Sequence, residues 1–142
     1  MAMSLVVELS SLPNSTSPSW VPLLAGLALS DVIRELGAKA ALKWPNDVLI
    51  GGAKLSGILL EAAGNGVIVG IGVNLAAAPD LPDRATIALA RFGPAPDRDV
   101  FAAALARQFD AEVERWRTYG LEPLIRRWQL AGHPPGTPLL VG

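Results

Sequence analysis

The chain has 142 residues, 51% of them hydrophobic, and a formal net charge of −1. That length supports one domain with a sizeable core, and the near-zero charge gives no electrostatic footprint for nucleic acid or an acidic membrane surface. There is no cysteine and a single histidine, His133, which excludes disulfides and thiolate chemistry and leaves a transition-metal centre short of ligands.

The apolar fraction is high for a soluble domain, so part of the surface is expected to be buried against something else. The opening MAMSLVVELSSLP lacks the basic and apolar regions of a signal peptide, and no apolar run reaches the length of a bilayer span. The expectation is a soluble, cytoplasmic protein with no nucleic-acid and no membrane partner.

Residues 4–9 are expected to form a strand, followed by a turn-rich connector, SSLPNSTSPS. From Trp20 the pattern becomes helical, with Pro22 in the first turn, apolar residues at most positions to Leu36, and Gly37 at the C′ position. AKAALKW leads into a further strand. DVLI, AKLSGILLEA and VIVGIGVNL then read as three strands joined by Gly-Gly and Gly-Asn-Gly, which supply the positive φ angles of short hairpins. Residues 47–75 are therefore expected to be an antiparallel meander.

AAAPDLPDRAT and FGPAPDRD are loops rich in proline and aspartate. Asp97 or Asp99 then caps a helix in which Phe101, Leu105, Phe109, Val113 and Trp116 recur at helical spacing. A shorter helix is expected over residues 121–131, with Pro123 in its first turn and Gly132 beyond it. Trp116 and Trp128 are assigned to the core, and Arg115, Arg117, Arg126 and Arg127 to a solvated helical face. These elements make an α+β fold: a mixed, mainly antiparallel sheet with flanking helices.

Three groups of residues could carry chemistry. Lys43, Asn46 and Asp47 stand at a strand entrance where Pro45 fixes the backbone. A lysine there can meet a phosphate or a carboxylate as a point charge; the alternative is a surface lysine beside an Asx turn. Lys54, past the Gly-Gly turn, is either a second phosphate contact with Gly57 admitting a ligand, or a solvated hairpin lysine with a strand glycine at a bulge. In GIGVNL, Gly70 and Gly72 bare one face of a strand, and Asn74 offers a donor and an acceptor suited to a purine edge. The competing arrangement is a strand packed tightly under a helix. The third glycine of a dinucleotide fingerprint is missing. Glu61 is expected to face outward rather than to hold magnesium.

Taken in order, KWPNDVLIGGAKLSGILLE and VIVGIGVNL resemble the biotin–protein ligase family, whose members carry a Lys-Trp-Pro-Asn-Asp segment, a Lys-x-x-Gly-Ile-Leu-x-Glu segment and a Gly-x-Gly-x-Asn strand. The DRAT loop and the flanking helices fit as well, so the resemblance covers nearly the whole chain. It implies ATP-dependent formation of biotinyl-5′-adenylate, then transfer of biotin to a lysine on the carrier domain of a carboxylase, with biotin, ATP and Mg2+ as ligands. It assigns Lys43 to the biotin carboxylate and the phosphate joined to it, and Lys54 to the ATP phosphates. Gly70 and Gly72 would make room for biotin, Asn74 would read the adenine, and Asn46, Asp47 and Val48 would shape the nucleotide pocket.

The sequence departs from that family in lacking the Ser-Thr-Asn biotin strand and the Arg-rich loop that folds over the adenylate; NSTS at residues 14–17 has the wrong order and place. Residues 1–132 thus read as the C-terminal half of a ligase catalytic domain, and residues 133–142 as the stub of a small β-barrel domain. Such a half would expose apolar surface and favour a homodimer through a sheet edge. A non-catalytic or split-enzyme remnant that binds nucleotide, and a lipoate ligase, are the alternatives.

Overall fold

The computed structural model describes residues 1–8, 20–43 and 47–131. Its elements in chain order are β1 (Ala2–Glu8), α1 (Val21–Glu35), β2 (Ala41–Lys43), β3 (Asp47–Ile50), β4 (Ala53–Ala63), β5 (Gly66–Val73), a 3-10 turn (Leu89–Arg91), α2 (Arg98–Tyr119) and α3 (Leu121–Ala131). The connector at 9–19, Trp44, Pro45, Asn46 and the proposed stub with His133 lie outside the described residues.

The five strands form one sheet in the order β1-β5-β4-β3-β2, and each pairing between neighbours is antiparallel. The expected antiparallel meander is present over residues 47–73, its last strand ending at Val73 rather than at Leu75. Gly51 and Gly52, at φ 57° and 82°, turn β3 into β4. Two successive positive angles belong to a type I′ turn, whose twist matches that of the strands it joins.

Alternation then sorts the side chains. Leu42, Val48, Ile50, Ile58, Val67, Val69, Ile71 and Val73 bury themselves on one face. α1 packs on that face, touching β2, β3, β4 and β5, and is itself covered by α2 and α3. Being enclosed from both sides, α1 is apolar nearly all round, and Val21, Leu24, Ala25, Ala28, Leu29 and Ile33 are fully buried. Gly26 lets it approach the sheet: a Cβ there would already lie 3.4 Å from Leu42. The domain is therefore layered, sheet against helix against helices. Among the described residues the second face of the sheet carries no helix, and Val6 and Leu59 stand 75% and 67% exposed on it.

α2 begins where Asp97 accepts hydrogen bonds from the amides of Asp99 and Val100 at 3.1 and 3.0 Å, so Asp97 rather than Asp99 is the cap. Phe101, Leu105, Phe109, Val113 and Trp116 are buried as their spacing predicts, and Trp128 packs partly buried against the core.

The solvated arginine face needs correction. Glu112, on the same helix, is completely buried. It accepts from Arg115 at 2.7 Å and from both terminal nitrogens of Arg127 at 2.5 and 2.8 Å. Arg127 also donates to Asp31 of α1 at 3.0 Å, and Gln108 reaches the same Asp31 oxygen at 3.0 Å. A buried carboxylate requires such neutralising donors, and these tie α1, α2 and α3 together. Arg126 and Arg117 conform to expectation, pairing along the helix surface with Glu122 and Glu114.

Candidate functional site

The open face of the sheet is crossed by one continuous row of paired residues: Ala2, Gly72, Gly57, Asp47 and Lys43, one from each strand. Three of the five have no side chain or only a methyl, so a bare floor ends in a carboxylate and an ammonium. The neighbouring row holds Ser4, Gly70 and Leu59. Over this floor lies a cavity of about 670 Å³, lined by Ala2, Ser4, Asp47, Lys54, Gly57, Gly70, Gly72 and Asn74 and closed on one side by Pro79, Leu81 and Thr86. Its size is that of small-molecule sites, about 300–1,000 Å³.

The glycines are open toward the cavity. A Cβ on Gly72 would meet nothing within 4 Å, and one on Gly70 only a carbonyl at 3.9 Å. Among the described residues no helix packs on the glycine face, unlike the competing arrangement left open by the sequence.

Lys54 owes its direction to an irregularity. The β3–β4 register shifts between Val48 and Leu49, pairing Val48 with Ser56 and Leu49 with Lys54. Leu55, the extra residue, is buried along with Ser56. A bulge of this kind re-aims the neighbouring side chain, and Lys54 turns over Gly57 toward Asp47. Its ammonium stands 3.4 Å from Oδ1 of Asp47, and Nη1 of Arg84 stands 3.5 Å from Oδ2. The Asp47 side chain is 15% exposed.

The segment carrying Arg84 is stitched to Lys54 through the backbone. The Lys54 amide donates to Ala85 O at 2.9 Å, and the Ile87 amide donates to Lys54 O at 3.0 Å. Asn74 reinforces the seam, its Nδ2 donating to Ile87 O at 3.1 Å and to Lys54 O at 3.4 Å. The Asn74 amide group has thus spent both donors on the protein, and only Oδ1 remains for a ligand.

Of the residues singled out in the sequence, Asp47, Lys54, Gly70, Gly72 and Asn74 line one cavity. Lys43 ends the row beside Asp47 and is exposed. Val48 does not join them: its side chain is fully buried on the helix side and it does not line the cavity. Asn46 lies outside the described residues. Arg84 was missed, because a lone arginine in a Pro- and Asp-rich loop carries no periodicity that points it anywhere. Glu61 is exposed. Among the described residues no group of three or more acidic or histidine side chains could hold a metal ion, and Asp47, the only carboxylate lining the cavity, already faces two cations. No helix among the described residues is long and apolar enough to cross a membrane.

Residues 1–76 match the family model described as the biotin/lipoate A/B protein ligase family. The chain belongs to that family. It is 43% identical over 103 residues to the biotin–[acetyl-CoA-carboxylase] ligase of Mycobacterium tuberculosis, covering 69% of this chain and 39% of that protein. It is 39% identical over 131 residues to the enzyme of the same name from Paracoccus denitrificans, covering 82% of this chain and 55% of the relative. The fold is that of the Aquifex aeolicus biotin protein ligase solved with biotin and ATP, at a TM-score of 0.79 and 23% identity over 92% of this chain and 57% of that one. The chain therefore spans only about half the length of these family members.

Proposed function

We propose that this chain supplies the sheet floor and phosphate-binding cations of a biotin–protein ligase site. The observation that carries the reading is the row that joins a bare glycine floor to Asp47 and Lys43, with Lys54 held over it. A flat, largely apolar ring system fits over Gly70 and Gly72, and anionic groups fit at the end where the lysines stand. The relatives at 43% and 39% identity are named as biotin ligases, which favours biotin over lipoate.

In the reaction so proposed, a biotin carboxylate oxygen attacks the α-phosphorus of ATP. The bond to the β-phosphate oxygen breaks, releasing pyrophosphate and leaving biotinyl-5′-adenylate. A lysine amine of a carboxylase carrier domain then attacks the acyl carbon and expels AMP. Lys43 holds the carboxylate and the phosphate joined to it, and Lys54 holds the ATP phosphates. Both offset charge that builds on phosphoryl oxygens. Asp47 and Asn46 shape the nucleotide end with the backbone of Val48. Asn74 accepts from the adenine amino group through Oδ1. Magnesium would be carried by the nucleotide phosphates, because the described residues offer it no carboxylate cluster. The proposed setting is the cytoplasm, and β1 and β2, the end strands of the sheet, are where two copies would pair.

The test is pyrophosphate release by the purified chain with biotin, ATP and magnesium, beside Lys43→Ala. Release that requires biotin and disappears in the variant supports the reading. A folded chain that binds neither biotin nor ATP contradicts it.

A further inference from the structure

We propose that Arg84 is a further phosphate-binding residue of this site beside Lys43 and Lys54, held on Asp47 until a polyphosphate arrives. The inference rests on the nucleotide reading above and adds to it a residue of the DRAT loop to which the family resemblance assigned no role.

The placement of Arg84 relative to Lys54 is fixed by the backbone. Arg84 bridges to Leu81 within its own loop, and the next residue, Ala85, accepts from the amide of Lys54 at 2.9 Å. Asn74 closes the same seam from β5. The two cations are therefore carried by hydrogen-bonded neighbours: Lys54 lines the cavity, and Arg84 meets it through Asp47. One carboxylate serves both of them: Lys54 on Oδ1 at 3.4 Å and Arg84 on Oδ2 at 3.5 Å. Both distances exceed those of strong charge-assisted bonds, so neither cation is firmly committed. The trio carries one excess positive charge beside a floor that has none.

Arg84 is 39% exposed at its side chain, and its tie to Asp47 is a single contact at 3.5 Å. Its planar fork presents several N–H donors matched to two phosphoryl oxygens, which a lysine ammonium does not. Asp47 in this account is a holder: it keeps two like charges adjacent while the site is empty and yields them to the ligand.

The experiment is titration calorimetry of the chain and of Arg84→Ala, Arg84→Gln and Arg84→Lys with ATP, inorganic tripolyphosphate and adenosine. One charge-assisted contact to phosphate is worth about tenfold in affinity or more. Arg84→Ala and Arg84→Gln are expected to weaken ATP and tripolyphosphate by at least that factor while adenosine binds as before, and Arg84→Lys to recover part of the loss. Wild-type affinity for tripolyphosphate in both variants would overturn the assignment. So would an equal loss of adenosine, which would make Arg84 a support for the loop. If the unsubstituted chain bound neither ATP nor tripolyphosphate, the nucleotide site would fall and this assignment with it. Binding by the chain with no change in the variants would remove Arg84 alone.

Discussion

The ammonium of Lys54 lies directly over Gly57: a Cβ on that glycine would stand 3.3 Å from Nζ and 3.4 Å from Cε. Gly57 is in turn the cross-strand partner of both Asp47 and Gly72. The absence of one side chain therefore lets a cation from the bulge fold down onto the floor and meet its carboxylate. Gly57→Ala displaces only the end of a flexible side chain, so its cost in stability should stay under about 1 kcal/mol. Its ATP affinity should fall toward that of Lys54→Ala. Equal ATP binding by Gly57→Ala and the parent chain in calorimetry would show that Lys54 does not need this position.

Gly72 and Gly66 should respond oppositely to the same change. A Cβ on Gly72 enters open space, whereas one on Gly66 meets Val7 O at 2.6 Å. Gly72→Val should melt near the parent temperature and lose biotin and nucleotide binding, because its branches fill the cavity. Gly66→Ala should lose more than about 1 kcal/mol in denaturant titration through backbone displacement. A strongly destabilised Gly72→Val would mean that this face is packed against protein.

Arg127 should matter more to stability than a half-exposed arginine ordinarily does. Its side chain is 34% exposed, yet it neutralises Glu112, which is 0% exposed, and binds Asp31 as well. Arg127→Ala leaves much of a buried carboxylate uncompensated and should cost about 3 kcal/mol in urea unfolding. Arg126→Ala removes only the exposed pair with Glu122 and should cost less than about 0.5 kcal/mol. Similar midpoints for the two variants would contradict the network.

The Ser56 hydroxyl is buried without a hydrogen-bond partner among the described residues. Ser56→Ala should therefore be neutral or stabilising by up to about 1 kcal/mol, since no bond is lost with the hydroxyl. A loss of similar size in thermal or chemical unfolding would reveal a partner for Oγ.

Asn74→Asp replaces two donors by a carboxylate aimed at the carbonyls of Lys54 and Ile87. The seam should open, and hydrogen exchange at the Ile87 amide should quicken by about tenfold or more, following a loss of roughly 1.5 kcal/mol. Unchanged protection there would mean that the backbone bonds hold the loop without Asn74.

Local chemistry made most of the architecture legible. Gly51 and Gly52 specify a turn, alternation in β3 to β5 specifies a meander with one buried face, and the spacing from Phe101 to Trp116 specifies a helix with one buried stripe. Each is a short-range property of the chain, governed by φ preference or by the period of one element. The residues Lys43, Asp47, Lys54, Gly70, Gly72 and Asn74 could be named for the same reason, because their types are unusual for the strands that hold them.

Their relationships could not be named, because they depend on register and on segments distant in the chain. Only the alignment of β1, β5, β4, β3 and β2 puts Ala2, Gly72, Gly57, Asp47 and Lys43 in one row. Only the bulge at Leu55 turns Lys54 onto Asp47, and only the loop returning to β4 brings Arg84 to the same carboxylate. Asn74, chosen as a reader of a purine, spends its donors on the backbone. Arg127, whose helix position suggests solvent, reaches a buried charge 15 residues earlier and another 96 residues earlier. Sequence determined which residues were chemically out of place in their elements. Tertiary structure decided what each one faces, because partner, burial and direction are set by pairing between strands and packing between helices rather than by neighbours along the chain.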